Sequence, residues 1–200
     1  RQNEQTRFHP RSPYAVAKLF AHWMTINYRE SYDMFTCSGI LFNHESPLRG
    51  AEFVTRKITI GLTKVKLGQL DYIELGNLDA KRDWGYASDY VEAMYLMLQH
   101  SIPDDYIVAT GINYSVRDFI NRVCNELDMK IEWEGEGIDE KAINTLTGET
   151  ILKVNPKYYR PAEVETLLGD SSKARKILKW KPKTSFNELV SMMVKSDYDK

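Results

Sequence analysis

The apolar positions fall into blocks whose spacing changes along the chain. After eleven mostly polar residues, Val16, Leu19, Phe20, Trp23 and Met24 recur three and four apart, the period of one face of an α-helix. Ser12 suits the N-cap and Pro13 the first helical position, where its missing N–H costs nothing, so a helix is expected over residues 13–32. Residues 34–42 form a short apolar run with the length of a buried parallel strand. Residues 43–50 then read as a loop at the carboxyl end of that strand, where open α/β sheets bind ligands.

Helix and strand periods continue to alternate. Residues 53–67 read as a helix followed by Gly68, residues 72–75 as a strand, and residues 79–85 as a charged loop. Asp89 is placed to cap a helix with the stripe Val91, Met94, Tyr95 and Leu98, followed by a strand at 106–109. Ser115 and Asp118 have the spacing of a capping box, opening a helix that ends near Leu127. A half-exposed strand at 130–134 leads into residues 134–150, polar with three glycines and read as a mobile loop. A strand at 151–154, a helix from Ser171 or Ser172 through Leu178, and a helix opened by the Ser185–Glu188 capping box complete the chain. This alternation predicts an α/β fold with a doubly wound parallel sheet.

Composition narrows the function classes. The chain is 42% hydrophobic and 28% charged with a formal charge of −1, so electrostatics favour neither nucleic acid nor a membrane surface as partner. There is no apolar run of transmembrane length, and residues 1–5 are polar, unlike a signal peptide. Cys37 and Cys124 sit in apolar periodic runs and are expected as buried free thiols, which fits a reducing cytoplasmic setting. Gly135-Glu136-Gly137 opens like a dinucleotide fingerprint, but Glu140 occupies the third glycine position, where a carboxylate would oppose a pyrophosphate. His44-Glu45 opens like a zinc-protease motif, but Leu48 stands at the second ligand position and Pro47 interrupts the helix. No metal site is expected.

The sharpest chemical signal is Tyr14 with Lys18. One helical turn separates them, so both side chains lie on one face. An ammonium beside a phenol favours the phenolate and allows tyrosine to act as a base near neutral pH.

The surrounding residues, Phe8-His9-Pro10-Arg11-Ser12-Pro13-Tyr14-Ala15-Val16-Ala17-Lys18, resemble the active-site helix of the extended short-chain dehydrogenase/reductase family. Gly39-Ile40-Leu41-Phe42-Asn43-His44-Glu45-Ser46-Pro47 is similar to its GDP-mannose 4,6-dehydratase branch. So are Phe53-Val54-Thr55-Arg56-Lys57-Ile58, Gly76-Asn77-Leu78-Asp79-Ala80-Lys81-Arg82-Asp83-Trp84-Gly85 and Tyr159-Arg160-Pro161-Ala162-Glu163-Val164-Glu165. Trp180 and Pro182 resemble the family's closing packing signature, with Lys179 in place of its glycine.

The resemblance implies a Rossmann-like sheet and a smaller mixed α/β substrate-binding domain. Residues 1–50 would be the C-terminal part of the NADP-binding domain. Residues 51–200 would be mainly the sugar-nucleotide domain, with segments crossing back to the sheet. It implies Tyr14 and Lys18 as catalytic residues that also touch NADP, and His44 and Arg49 as further cofactor contacts. Arg49 can pair with a 2′-phosphate, which fits NADP over NAD. Asn43, Lys57, Arg82, Arg160 and Glu163 would bind the substrate, GDP-mannose, with the cations on its diphosphate and Glu163 on guanine. The implied reaction yields GDP-4-keto-6-deoxymannose, the first step toward GDP-fucose, in a homodimer or homotetramer. A sister dehydratase, epimerase or keto-sugar reductase, or a non-catalytic nucleotide-sugar-binding subunit, is the alternative. The family's glycine motif and its catalytic Thr/Ser and Glu have no counterpart among residues 1–200, and Glu4 matches a non-catalytic acidic position. The chain is therefore expected to be part of a longer enzyme and inactive alone.

Overall fold

The computed structural model describes residues 1–159, 164 and 166–199. The chain opens with α1 (Pro13–Tyr32), β1 (Ser38–Leu41), β2 (Asn43–Glu45), α2 (Val54–Lys66) and β3 (Ile73–Leu75). It continues through β4 (Lys81–Arg82), β5 (Trp84–Tyr86), α3 (Ala87–Gln99), β6 (Asp105–Val108) and β7 (Tyr114–Ser115). Then come α4 (Val116–Glu126), β8 (Ile131–Glu134), β9 (Lys141–Asn144), β10 (Thr150–Val154), α5 (Ser172–Ile177) and α6 (Phe186–Tyr198). These elements form two compact units, the first from residues 1–44, 83–113 and 167–183, the second from 45–82, 114–166 and 184–200.

The first unit is built on β1 and β6, which pair in parallel with Ile40 opposite Ile107 and Leu41 opposite Val108. Successive residues of a strand face opposite sides. Tyr106 and Val108 therefore share one side, where they pack with Tyr90, Ala93 and Met97 of α3 and with Ala174, Leu178 and Trp180. Ile40 faces the other way, into an open hollow that Leu19, Trp23 and Ile26 of α1 also line. Helices on both faces of a parallel pair are the doubly wound arrangement, as expected from the sequence. Trp180 donates Nε1–H to the Asp89 carbonyl at 2.8 Å, which agrees with its reading as a packing residue.

The second unit holds a mixed sheet in the order β3-β10-β9-β8, parallel between β3 and β10 and antiparallel elsewhere. Ile58 and Leu62 of α2, Phe119, Ile120 and Val123 of α4, and Leu189, Val190, Met193 and Val194 of α6 are all buried. Gly61 lets α2 approach β3 closely, since a Cβ there would stand 2.4 Å from Ile73 Cγ2. Arg56 and Asp197, both nearly buried, tie α2 to α6.

Several sequence expectations need correction. Residues 134–150 are not a loop: β9 pairs with β8, and Gly148, at φ 73°, closes the turn into β10. The polar composition hid a strand in which only Ala142 is buried. Asp89 does not cap α3, which starts after Tyr86; its carboxylate instead accepts the Lys183 N–H at 2.9 Å. The buried stripe of α3 is Tyr90, Ala93 and Met97, while Val91, Met94, Tyr95 and Leu98 are exposed. Both stripes have helical spacing, so periodicity alone could not choose between them. Likewise no residue of α1 is buried, although its start and end fall where the cap and pattern put them. Smaller differences are a strand shortened to Ser38–Leu41, Asn43–Glu45 in strand form where a loop was expected, and two short strands within 79–86. Cys124 is buried, which pushes its thiol up to about 12, whereas Cys37 is only half-buried.

Lys179 lies just past the cap of α5 at φ 55°, the left-handed position usually given to glycine. A side chain there costs about 1 kcal/mol. Lys179→Gly is therefore expected to raise stability by about 0.5–1 kcal/mol, read as a higher urea midpoint at unchanged slope. An unchanged or lower midpoint would show that the position is not strained.

Arg29 of α1 chelates Asp105 of β6, and Ser38 N–H also donates to Asp105 at 3.0 Å. Burial pulls the Asp105 carboxyl up, but the Arg29 hydrogen bond and charge outweigh it and hold the group below the usual carboxylate range. A depressed folded value stabilises the protein fully above the ordinary carboxylate range, and that stabilisation disappears as pH falls through the folded value. Asp105→Asn is thus expected to cost more stability at neutral pH than at acid pH below the ordinary carboxylate range. Equal differences at both pH values in urea unfolding would contradict the linkage.

Candidate active site

Ser12 Oγ accepts the Ala15 N–H at 3.1 Å and fixes the start of α1, with Pro13 in the first turn. This cap places Tyr14 on the first turn and Lys18 one turn later. Lys18 Nζ lies 5.7 Å from the Tyr14 ring centroid, and Tyr14 is 71% exposed. The phenol and the ammonium therefore share one accessible face.

The carboxyl end of the β1–β6 pair is held from several directions. Phe42 N–H extends the pairing to the Val108 carbonyl at 3.0 Å. Gly169 is forced to be glycine, because a Cβ would meet Ala109 Cβ at 2.2 Å and the Phe42 ring at 3.1 Å. Asp83 is fully buried. One of its oxygens accepts the Thr110 N–H and hydroxyl at 2.9 and 2.6 Å; the other accepts the N–H groups of Gly111 and Gly169 at 2.9 and 3.2 Å. Reading the sequence singled out Arg82 in Arg82-Asp83-Trp84 and missed this carboxylate, although an acid before tryptophan and glycine was the available signal. Glu4 has a similar structural task, accepting the Ile107 N–H at 2.9 Å.

Asn43 and His44 follow this strand end, both half-buried. His44 Nδ1 stands 3.0 Å from the Phe42 carbonyl, and its ring lies 5.3 Å from that of Tyr90. A carbonyl can only accept, so Nδ1 carries the proton and Nε2 of the neutral ring is an acceptor.

The second unit holds the expected cations. Arg49 stacks on Phe53 with its guanidinium carbon 3.5 Å from the ring centroid, and its Nε lies 3.3 Å from the buried carboxylate of Glu45. Lys57 donates to the Glu74 carbonyl at 2.6 Å and sits 3.7 Å over the ring of Tyr158. One of its three ammonium donors is therefore already taken by the protein. Arg82 donates to the Lys81 carbonyl at 2.9 Å from the short β4–β7 ladder. Arg160 and Glu163 lie outside the described residues. Tyr14 and Lys18 are thus brought together in the first unit, as are Asn43 and His44 at its strand end, while Arg49, Lys57 and Arg82 each stand in separate surroundings in the second. Glu45, Phe53 and Thr55 lie in the family-like blocks of the sequence, where nothing in their local pattern marks them as part of a site.

The family description GDP-mannose 4,6 dehydratase matches residues 1–193. GDP-mannose 4,6 dehydratase 2 of Caenorhabditis elegans is 58% identical over 196 residues, covering 98% of this chain and 51% of that protein. GDP-mannose 4,6 dehydratase of Drosophila melanogaster is 56% identical over 198 residues, covering 99% and 50%. The chain spans about half the length of these relatives. Among solved structures, RMD from Pseudomonas aeruginosa complexed with NADPH superposes with a TM-score of 0.80 at 20% identity, over 98% of this chain and 59% of that one. A dTDP-glucose 4,6-dehydratase from Bacillus anthracis in complex with NAD gives 0.78 at 17% identity, over 98% and 55%. At such identities these structures speak to the fold, which they share. With the family match running from residue 1 to residue 193 and more than half of the residues identical to these relatives, the chain belongs to the GDP-mannose 4,6 dehydratase family.

Proposed function

We propose that the protein acts on GDP-mannose, converting it to GDP-4-keto-6-deoxymannose with NADP regenerated in each turnover, the first step toward GDP-fucose and related deoxy sugars. The observation that carries this reading is Tyr14 and Lys18 on one accessible face of α1, in a chain of this family.

The residues present fit a nicotinamide dinucleotide. Lys18 offers ammonium donors for ribose hydroxyls, His44 offers an acceptor at Nε2 beside the strand end, and Arg49 offers a guanidinium edge for a phosphate. When bound, NADP supplies the hydride acceptor for C4 of the hexose and the donor for C6. The work of this chain is then positional and acid–base. Tyr14 Oη takes the proton of the 4-hydroxyl, with Lys18 one turn away to favour the phenolate. Asn43 hydrogen-bonds the sugar nucleotide, and Arg82, Lys57, Arg160 and Glu163 hold its diphosphate and guanine. No residue of 1–200 is proposed as the base for the C5 proton, the step that releases water from C6. We further propose a cytoplasmic homodimer or homotetramer. Among the described residues no helix is long and apolar enough to cross a membrane.

The test is turnover of a panel of nucleotide sugars by the full-length protein, read by mass spectrometry, with Tyr14→Phe beside the parent. GDP-mannose alone is expected to lose one water. Tyr14→Phe removes one hydroxyl from an exposed helix turn, so the fold should survive while the rate falls by about 10² to 10⁴. A variant with more than half the parental rate would remove Tyr14 from the chemistry, and preference for another nucleotide sugar would point to a sister activity.

A further inference from the structure

Arg49 is built into its place by its neighbours. Glu45, at the end of β2, is 2% exposed, and one of its oxygens accepts the Thr55 hydroxyl at 2.6 Å. Thr55 is fully buried in the first turn of α2, so the carboxylate is pinned to the helix start. The same oxygen lies 3.3 Å from Arg49 Nε, an ion pair rather than an aligned hydrogen bond. The face of the guanidinium rests on Phe53, and the Arg49 carbonyl accepts Arg56 Nε–H at 3.1 Å. Arg56 is itself anchored by Asp197. The backbone, the inner edge and one face of Arg49 are therefore all fixed. Its side chain keeps 26% exposure, and among the described residues neither terminal nitrogen is hydrogen-bonded.

A planar guanidinium fixed on one face and one edge presents two parallel N–H donors on the other edge, the geometry that suits a phosphate. Holding it there removes the rotamer entropy that a free arginine loses on binding. The carboxylate of Glu45 acts in two opposed ways. By charge it repels an anion at Arg49; by contact it orients the donor. We propose that Glu45 and Phe53 are positioning residues for Arg49, presenting its outer edge to a phosphate of the nicotinamide dinucleotide. This rests on the reading of Arg49 as a cofactor contact.

The opposed signs make the test sharp. Calorimetry of NADP and NAD on the full-length protein would compare Arg49→Ala, Glu45→Ala, Glu45→Gln and Phe53→Ala with the parent, with GDP-mannose binding measured alongside. Arg49→Ala and Glu45→Ala are each expected to weaken NADP roughly tenfold or more, and the double variant to lose little beyond either single one. Glu45→Gln, which keeps an oxygen for Thr55 and Arg49, should stay within about threefold of the parent. Phe53 is 41% exposed, so Phe53→Ala should fold even if Glu45→Ala does not, and it too should weaken NADP. GDP-mannose affinity should hardly move. Loss for NADP alone would place the 2′-phosphate at Arg49, and equal loss for NAD would place the bridging diphosphate there; both support the positioning role. If Arg49→Ala binds NADP as the parent does, the cofactor reading fails and this inference with it. If Arg49→Ala loses affinity while Glu45→Ala and Phe53→Ala keep or tighten it, charge alone governs the site and only the positioning role is overturned.

Discussion

The constraint on which the first unit depends is the buried carboxylate of Asp83. A fully buried carboxylate left without donors would cost several kcal/mol, so the chain around it must supply them. Here they come from two stretches remote in sequence, Thr110-Gly111 and Gly169. The same stretches are tied again by Ser171 Oγ to the Ala109 carbonyl at 2.9 Å and by Arg175 to the Thr110 carbonyl at 2.8 Å. The end of β6 and the return at 169 are thereby fixed around one residue. That is the end of a parallel sheet at which ligands bind.

The two units solve different problems. In the first, a short parallel pair carries helices on both faces and sets a phenol, an ammonium, an imidazole acceptor and an asparagine near strand or helix ends. In the second, a mixed sheet with packed helices carries cations whose positions are set by side-chain neighbours. Arg117 shows the structural use of such a cation: it joins Asp79 and Glu140 and lies 4.6 Å over Trp133. Arg49 differs because, among the described residues, one edge of its guanidinium stays uncommitted. Arginines of one composition class thus differ in how many of their donors the protein itself consumes.

Local signals were the legible part of the sequence. Ser12-Pro13, the Ser115 and Ser185 capping boxes and the helix periods placed α1, α4 and α6 to within a residue or two, because caps act over one turn. The choice between the two stripes of α3 was not legible, since both are apolar and only the packing on β6 selects Tyr90, Ala93 and Met97. The hairpin at 131–144 was hidden because strand pairing is a contact at a distance, and a polar strand with one buried alanine carries almost no periodic signal. For the candidate site, Tyr14 and Lys18 were visible because their relation is one helical turn. The tasks of Asp83 and Glu45 were not, because each depends on donors that the fold brings in from other segments or turns inward.

Tyr14 and Lys18 are proposed to serve an oxidation that is reversed within one turnover. The most direct measurement uses GDP-mannose deuterated at C4 with the full-length protein and catalytic NADP. The label is expected at C6 of a product lighter by one water, with no accumulation of reduced cofactor. Label retained at C4, or delivered to a reduced cofactor that accumulates in step with product, would contradict it.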